Sequence, residues 1–317
     1  MSVGQSDKVE NTEEPVGLDR GIERLESRRA SKEEKRIAGA LKGQRVRGWT
    51  EKLLTRTLSG FVYVVIIIAC LFAGIIPTAV LLSAMGWLCC SEFFRICRMA
   101  GRRPNEFCGL AAALAYPILS ALFGATSIVA VTCILALLVC VWYVFNPRSS
   151  IGDVAITVFG PLYASLMLSS LSLIRASNPG MDGTLLSLLV IGSMWVEDSS
   201  AYLVGSSIGT HKMAPRISPN KSWEGFFGGM VGCVLVWCVG AFFHVGGLTW
   251  PIAIICGLAE GVVAVLGDLF ESRIKRSVGV KDSGNLLPGH GGLLDRTDSM
   301  LFGGTVAYFI LLFGGII

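Results

Sequence analysis

Charge is scarce in this sequence and absent over long stretches. Asp, Glu, Lys and Arg make up 16% of the 317 residues, well under the roughly 25% of a soluble globular domain. The charge is also unevenly placed: residues 1–56 hold 13 of the 27 Lys and Arg and 10 of the 23 Asp and Glu. No C-x-x-C pair occurs, and most of the 10 cysteines fall inside apolar runs. That excludes a disulfide framework and a cysteine zinc site, and leaves the thiols as small buried hydrophobes. The N-terminus lacks the apolar core of a secretory signal. No internal repeat is visible, which argues against an inverted-repeat transporter. A net charge of +4 is too small and too scattered to point to nucleic acid. What is abundant is apolar: 52% of residues are hydrophobic and the mean hydropathy is +0.63. A soluble domain is excluded, as is a disordered or collagenous chain despite 38 glycines. An all-α, polytopic integral membrane protein in the lipid bilayer remains.

The chain divides at about residue 56. Residues 1–56 read as a polar cytoplasmic tail, basic from about residue 20, and 57–317 as a transmembrane domain. The tail is either a solvated, partly helical segment or a basic stretch lying on an anionic membrane face. After it come nine apolar segments, approximately 60–76, 78–95, 107–125, 126–145, 153–173, 184–205, 226–246, 249–269 and 299–317. Each is near the length needed to cross about 30 Å of hydrocarbon. Tight turns at Pro77, Gly124 and Gly246-Gly247 imply helical hairpins, although the first two segments also fit one re-entrant pair. With the N-terminus inside, every one of the 27 Lys and Arg except Arg175 falls on the inner side. That asymmetry predicts about nine transmembrane helices, N-terminus inside and C-terminus outside.

Two inner segments are long and polar, about 206–225 and 270–298. Carboxylates flank them at membrane depth: Glu197, Asp198, Glu260, Asp268 and Glu271. Charge at such depth is costly and signals function by default, or else pairing with a nearby Lys or Arg. Within 272–298, cations, carboxylates and glycines alternate: Ser272, Lys275, Arg276, Lys281, Asp282, His290, Gly291, Gly292, Asp295, Arg296 and Asp298. Cations suit phosphate oxygens, carboxylates suit a hard ion such as Mg²⁺, and glycines let backbone N–H groups approach an anion. Asp295 and Asp298 share a face if this stretch is helical. The first segment carries Lys212, Arg216 and Lys221, placed to clamp a triphosphate or simply to anchor the inner face. Ser218-Pro219 favours a turn there, and Trp223 is an interfacial anchor or a base-stacking platform.

The stretch Ser272–Asp298 resembles the signature of the phosphatidate cytidylyltransferase family: S-x-aliphatic-K-R, four residues, K-D-x-small, then H-G-G-aliphatic-x-D-R-x-D. Asp198 with Ala201–Gly205, then Lys212–Gly225, resembles the family's other block. The resemblance covers about Val196 to Asp298 and rests on hydropathy alone upstream. It implies CTP and phosphatidic acid as substrates, and CDP-diacylglycerol and pyrophosphate as products. By the same resemblance, Asp268 and Asp295 are expected to hold Mg²⁺, with Asp298 a further candidate and K⁺ a second cation. Lys212, Arg216 and Lys221 would clamp the triphosphate, with Asp198 and Glu224 orienting the nucleotide. Lys275, Arg276 and Lys281 would hold lipid phosphate or leaving pyrophosphate. His290 would donate to a phosphate oxygen or order its loop. The family further implies a homodimer, and the compact chain suggests a bacterial plasma membrane with the site facing the cytoplasm. Two rivals remain: a lipid-linked kinase of similar architecture, and an ion-coupled transporter using the buried carboxylates. The latter is disfavoured by an outer half almost bare of ionisable residues.

Overall fold

The computed structural model describes residues 57–280, 282–284 and 291–317. The polar tail, Lys281 and His290 lie outside the described residues. Nine long helices follow among them. They are α1 (Thr57–Ala73), α2 (Ile75–Met99), α3 (Glu106–Phe123), α4 (Thr126–Phe145) and α5 (Ile151–Ser177). After them come α6 (Met181–Ile208), α7 (Trp223–Phe242), α8 (Trp250–Ser277) and α9 (Leu294–Phe313). Each of the nine apolar segments coincides with one of them. Six, namely α2, α3, α4, α5, α7 and α8, are long and apolar enough to cross a membrane. Of the other three, α1 is shorter, while α6 and α9 carry carboxylates that dilute their apolar surface.

Local chemistry sets the boundaries. The first break falls at Gly74, φ 126°, a backbone state that excludes most side chains, rather than at Pro77. Pro77 sits in the first turn of α2, where its missing N–H would be unpaired anyway. Asn105 caps α3 by accepting from the Cys108 N–H at 3.1 Å. Ser150 and Asp153 form a reciprocal capping box on α5. Inside α5, Pro161 is followed by a π-turn, Leu162–Leu166, which absorbs the lost hydrogen bond without ending the helix.

The polar segment between α6 and α7 is not a plain loop. It forms a two-stranded antiparallel hairpin, β1 (Lys212–Ala214) and β2 (Ser218–Ser222), paired Lys212 to Ser222 and Ala214 to Ser218. The turn lies at 215–217, so Ser218 and Pro219 belong to a strand instead. In a two-stranded ribbon every strand is an edge, where a proline costs no ladder bond.

Helices α6 to α9 pack most extensively, each on the next. Glycine makes this close approach possible. A Cβ on Gly257 of α8 would stand 2.6 Å from the Cα of Val234 on α7. One on Gly229 of α7 would stand 2.8 Å from the Glu197 carboxylate of α6. Small-residue faces of this kind let helices associate in lipid, where the hydrophobic effect offers little. By contrast α4, with Val129, Leu137 and Val144 exposed, is peripheral.

Gly257→Val should therefore destabilise the detergent-solubilised protein by ~1–3 kcal/mol through overpacking. Leu258→Ala, on the exposed side of the same helix, should leave the thermal midpoint nearly unchanged. A thermal-shift scan compares the two directly.

Candidate active site

The site is built where α8 ends and α9 begins. Gly267 lets the two helices touch: a Cβ there would lie 2.6 Å from the Asp298 carbonyl. That contact sets Asp268 of α8 beside Asp298 of α9. Asp268 Oδ1 accepts from Ser272 Oγ at 3.1 Å, one turn on, and its Oδ2 pairs with Lys221 Nζ at 2.7 Å. The hairpin is thus tied to the body of α8 at Asp268. Asp298 is buried, and its Oδ1 accepts from the Ser299 N–H at 2.9 Å. Asp198 of α6 completes the group: Asp198, Asp268 and Asp298 lie close enough for their charges to act on one another, with Lys221 and Arg296 as the facing cations. A cavity of about 270 Å³ is lined by Asp198, Asp295, Arg296 and Asp298, with α1 on its other side.

A second polar cluster holds the signature segment in shape. Lys275 Nζ donates to Asp295 Oδ1 at 2.6 Å and also pairs with Glu271. Asp295 Oδ2 accepts from the Ser283 N–H at 3.0 Å and the Gly292 N–H at 2.9 Å. The Asp295 carboxylate is therefore occupied by protein donors on both oxygens. Gly291 adopts φ 86°, and a Cβ on Gly292 would strike Ser283 Oγ and the Glu92 carboxylate. The Gly-Gly pair serves backbone geometry, with one of its N–H groups spent on Asp295.

Glu92 of α2 was not singled out from the sequence, yet it anchors this segment. It is buried and accepts from Ser283 Oγ at 2.8 Å, Leu293 N at 3.0 Å and Leu294 N at 2.9 Å. The last two are unpaired N–H groups at the start of α9, so a side chain distant in sequence caps this helix. Arg95, one turn along α2, donates to the Ser283 carbonyl. A lone carboxylate in an otherwise apolar stretch was the available signal.

The remaining sequence candidates are dispersed. Lys212 and Arg216 are exposed on the hairpin, with no ion pair among the described residues. Glu224 accepts from His211 Nδ1 at 2.6 Å and Thr210 Oγ1 at 2.8 Å, closing the hairpin's base. Arg276 is exposed and donates to the Val280 carbonyl at 2.9 Å. Trp223 packs edge-on against Phe226 with Phe227 beside it, as an interfacial anchor would. Glu260 is fully buried, bound by Ser193 Oγ at 2.5 Å and Trp237 Nε1 at 2.8 Å.

No three His, Cys, Asp or Glu side chains among the described residues converge tightly enough to coordinate one metal ion. The donor chemistry nonetheless fits Mg²⁺. That ion is commonly held by one or two carboxylates, with water and substrate phosphates completing its octahedron. Asp268 and Asp298 are hard oxygen donors side by side, and three neighbouring carboxylates face only two cations.

Comparisons with known proteins bear on this arrangement. Residues 54–313 match the profile of the cytidylyltransferase family. A Synechocystis protein named phosphatidate cytidylyltransferase is 34% identical over 203 residues, 55% of this chain and 68% of its own length. Proteins of the same name from Mycobacterium bovis and Brucella abortus are 37% identical over 166 residues and 40% over 157. These alignments cover 52% and 50% of this chain, and only 53% and 56% of the two relatives' lengths.

Glu92→Ala should leave two backbone N–H groups and a serine hydroxyl unpaired, at ~1–3 kcal/mol each. The backbone at 282–284 and 291–293 should then be cut markedly faster in limited proteolysis while the helices stay resistant. Equal cleavage rates would remove the anchoring role.

Proposed function

Because the chain belongs to the cytidylyltransferase family, we propose that this nucleotidyltransferase moves CMP from CTP to phosphatidic acid. The products are CDP-diacylglycerol and pyrophosphate. Besides family membership, one observation carries the reading: Asp198, Asp295, Arg296 and Asp298 line a single cavity that α1 also borders, and the Lys221–Asp268 pair stands beside Asp198 and Asp298. A phosphate oxygen of the lipid attacks the α-phosphorus of CTP, the bond to the bridging oxygen breaks, and pyrophosphate leaves. Both partners are anionic, so the protein's task is to position them and offset their repulsion.

Asp268 and Asp295 are the residues that would hold Mg²⁺, with Asp298 a further candidate. When bound, the ion supplies charge neutralisation along the phosphates. Asp295 also accepts from Lys275, Ser283 and Gly292, and so fixes the start of α9 at the cavity. Lys221 carries Asp268 in the resting state and is placed to turn to a phosphate oxygen. Lys212 and Arg216, exposed on the hairpin, then approach the β- and γ-phosphates from the water side.

We further place all nine helices across the membrane, with the N-terminus and the site on the cytoplasmic side and the C-terminus outside. The cations support this: Arg175 stands apart at the far end, buried and donating to the carbonyls of Leu71 and Asn178. The relatives are bacterial, which favours the plasma membrane.

In mixed micelles, pyrophosphate release should require CTP, phosphatidic acid and Mg²⁺ together. Asp268→Asn should lower kcat by at least ~10²-fold, and Lys221→Gln should raise KM for CTP by roughly tenfold. Turnover with ATP and a lipid alcohol instead would make the protein a lipid kinase. For topology, a C-terminal alkaline phosphatase fusion should be active and a C-terminal green fluorescent protein fusion dark. The reverse pattern would overturn the orientation.

A further inference from the structure

The cavity between α1, α6 and α9 has two unlike walls. Asp198, Asp295, Arg296 and Asp298 form a charged one, which belongs to the site already described. Gly60, Tyr63 and Val64 of α1 form the other, and nothing in the transfer chemistry so far employs it. The outer side of α1 is bare: Phe61, Val62, Val65 and Ile66 are all exposed. This helix is thus a single layer between the cavity and the surrounding hydrocarbon. A water-soluble nucleotide has no use for such a wall. A molecule with an anionic head and an apolar body fits both sides at once.

Tyr63 joins the two chemistries. Its ring lies with the apolar wall, while its hydroxyl donates to a thioether, Met300 Sδ, at 3.6 Å. Thioether sulfur is a weak acceptor, so a phosphate oxygen is the better partner for that hydroxyl. Arg296 is exposed in the first turn of α9, and its planar fork matches phosphate geometry. Gly60 lies one turn before Tyr63 on the same face of α1 and leaves the wall low there. Among the residues that line the cavity, Arg296 is the cation, so an anionic head group is placed toward it rather than toward Asp198, Asp295 or Asp298.

We propose that this cavity is the seat of the lipid substrate. Arg296 and Tyr63 hold its phosphate, and the Gly60–Val64 wall borders its glycerol backbone. The proposal rests on the cytidylyl-transfer reading and deepens it, adding two residues to the lipid side of the reaction.

The test uses the full chain in mixed micelles, varying phosphatidic acid at saturating CTP and then the converse. Arg296→Gln should raise KM for phosphatidic acid at least ~tenfold, and Tyr63→Phe about fivefold, each a lost hydrogen bond to charge. Gly60→Leu should obstruct the wall and raise the same constant. KM for CTP should stay within about twofold in all three, as expected when the lost contact is to the other substrate. Tyr63→Phe removes one oxygen only, so it decides the matter if Gly60→Leu fails to fold. Retention of phosphatidic acid over phosphatidylcholine, measured by native mass spectrometry without CTP, should fall in Arg296→Gln. A rise confined to KM for CTP would assign the cavity to the nucleotide, and unchanged constants for both substrates would also overturn the proposal. A wild-type protein inert toward CTP, yet selective for phosphatidic acid through Tyr63 and Arg296, would sink the transfer reading and spare the lipid site.

Discussion

One cation held between two carboxylates organises the polar end of this molecule. Lys275 pairs with Glu271 on its own helix and with Asp295 on the next. Through Asp295 it reaches the backbone of Ser283 and Gly292. Burying any one of these charges alone would be strongly unfavourable, whereas burying them together is tolerated because each finds a partner. The pair ties the last turns of α8 to the start of α9. The contact of Gly267 with Asp298, and hence the meeting of Asp268 with Asp298, depends on that tie.

A division of labour follows among groups that look alike on paper. Asp295 and Glu92 spend their oxygens on backbone N–H groups and act as scaffold. Asp198 and Asp298 line the cavity together with Asp295, and Asp268 shares its charge with Lys221. The scaffold contacts keep the cavity carboxylates in place.

The helices were plain in the sequence because hydrocarbon imposes one solution: an apolar run of spanning length must satisfy its own backbone bonds. The match of 272–298 to the family signature was equally plain, since its polar residues sit at fixed spacings. Other features were hidden for identifiable reasons. The hairpin of Lys212–Ser222 has too few apolar residues to show an alternating pattern, and Pro219 read as a turn. Glu92 acts 191 residues away from Ser283 in the chain, so no local spacing announces it. Asp295 has the residue type of a metal ligand, and only the surrounding N–H groups reveal its other duty. Lys281 and His290 lie outside the described residues, so their roles rest on the resemblance alone.

The π-turn in α5 carries a quieter consequence. It places one surplus residue in the middle of a spanning helix, so the two halves are out of phase by about 100° relative to a regular helix. That offset aims Ser170 at Thr305 and seats Leu171 on Gly304 of α9. The helix cannot be shortened by one residue within 162–166 and keep those partners, although its length and apolar character would barely change. The position of α9, and the aspartates at its start, is thereby indexed to the residue count of a distant and chemically silent helix.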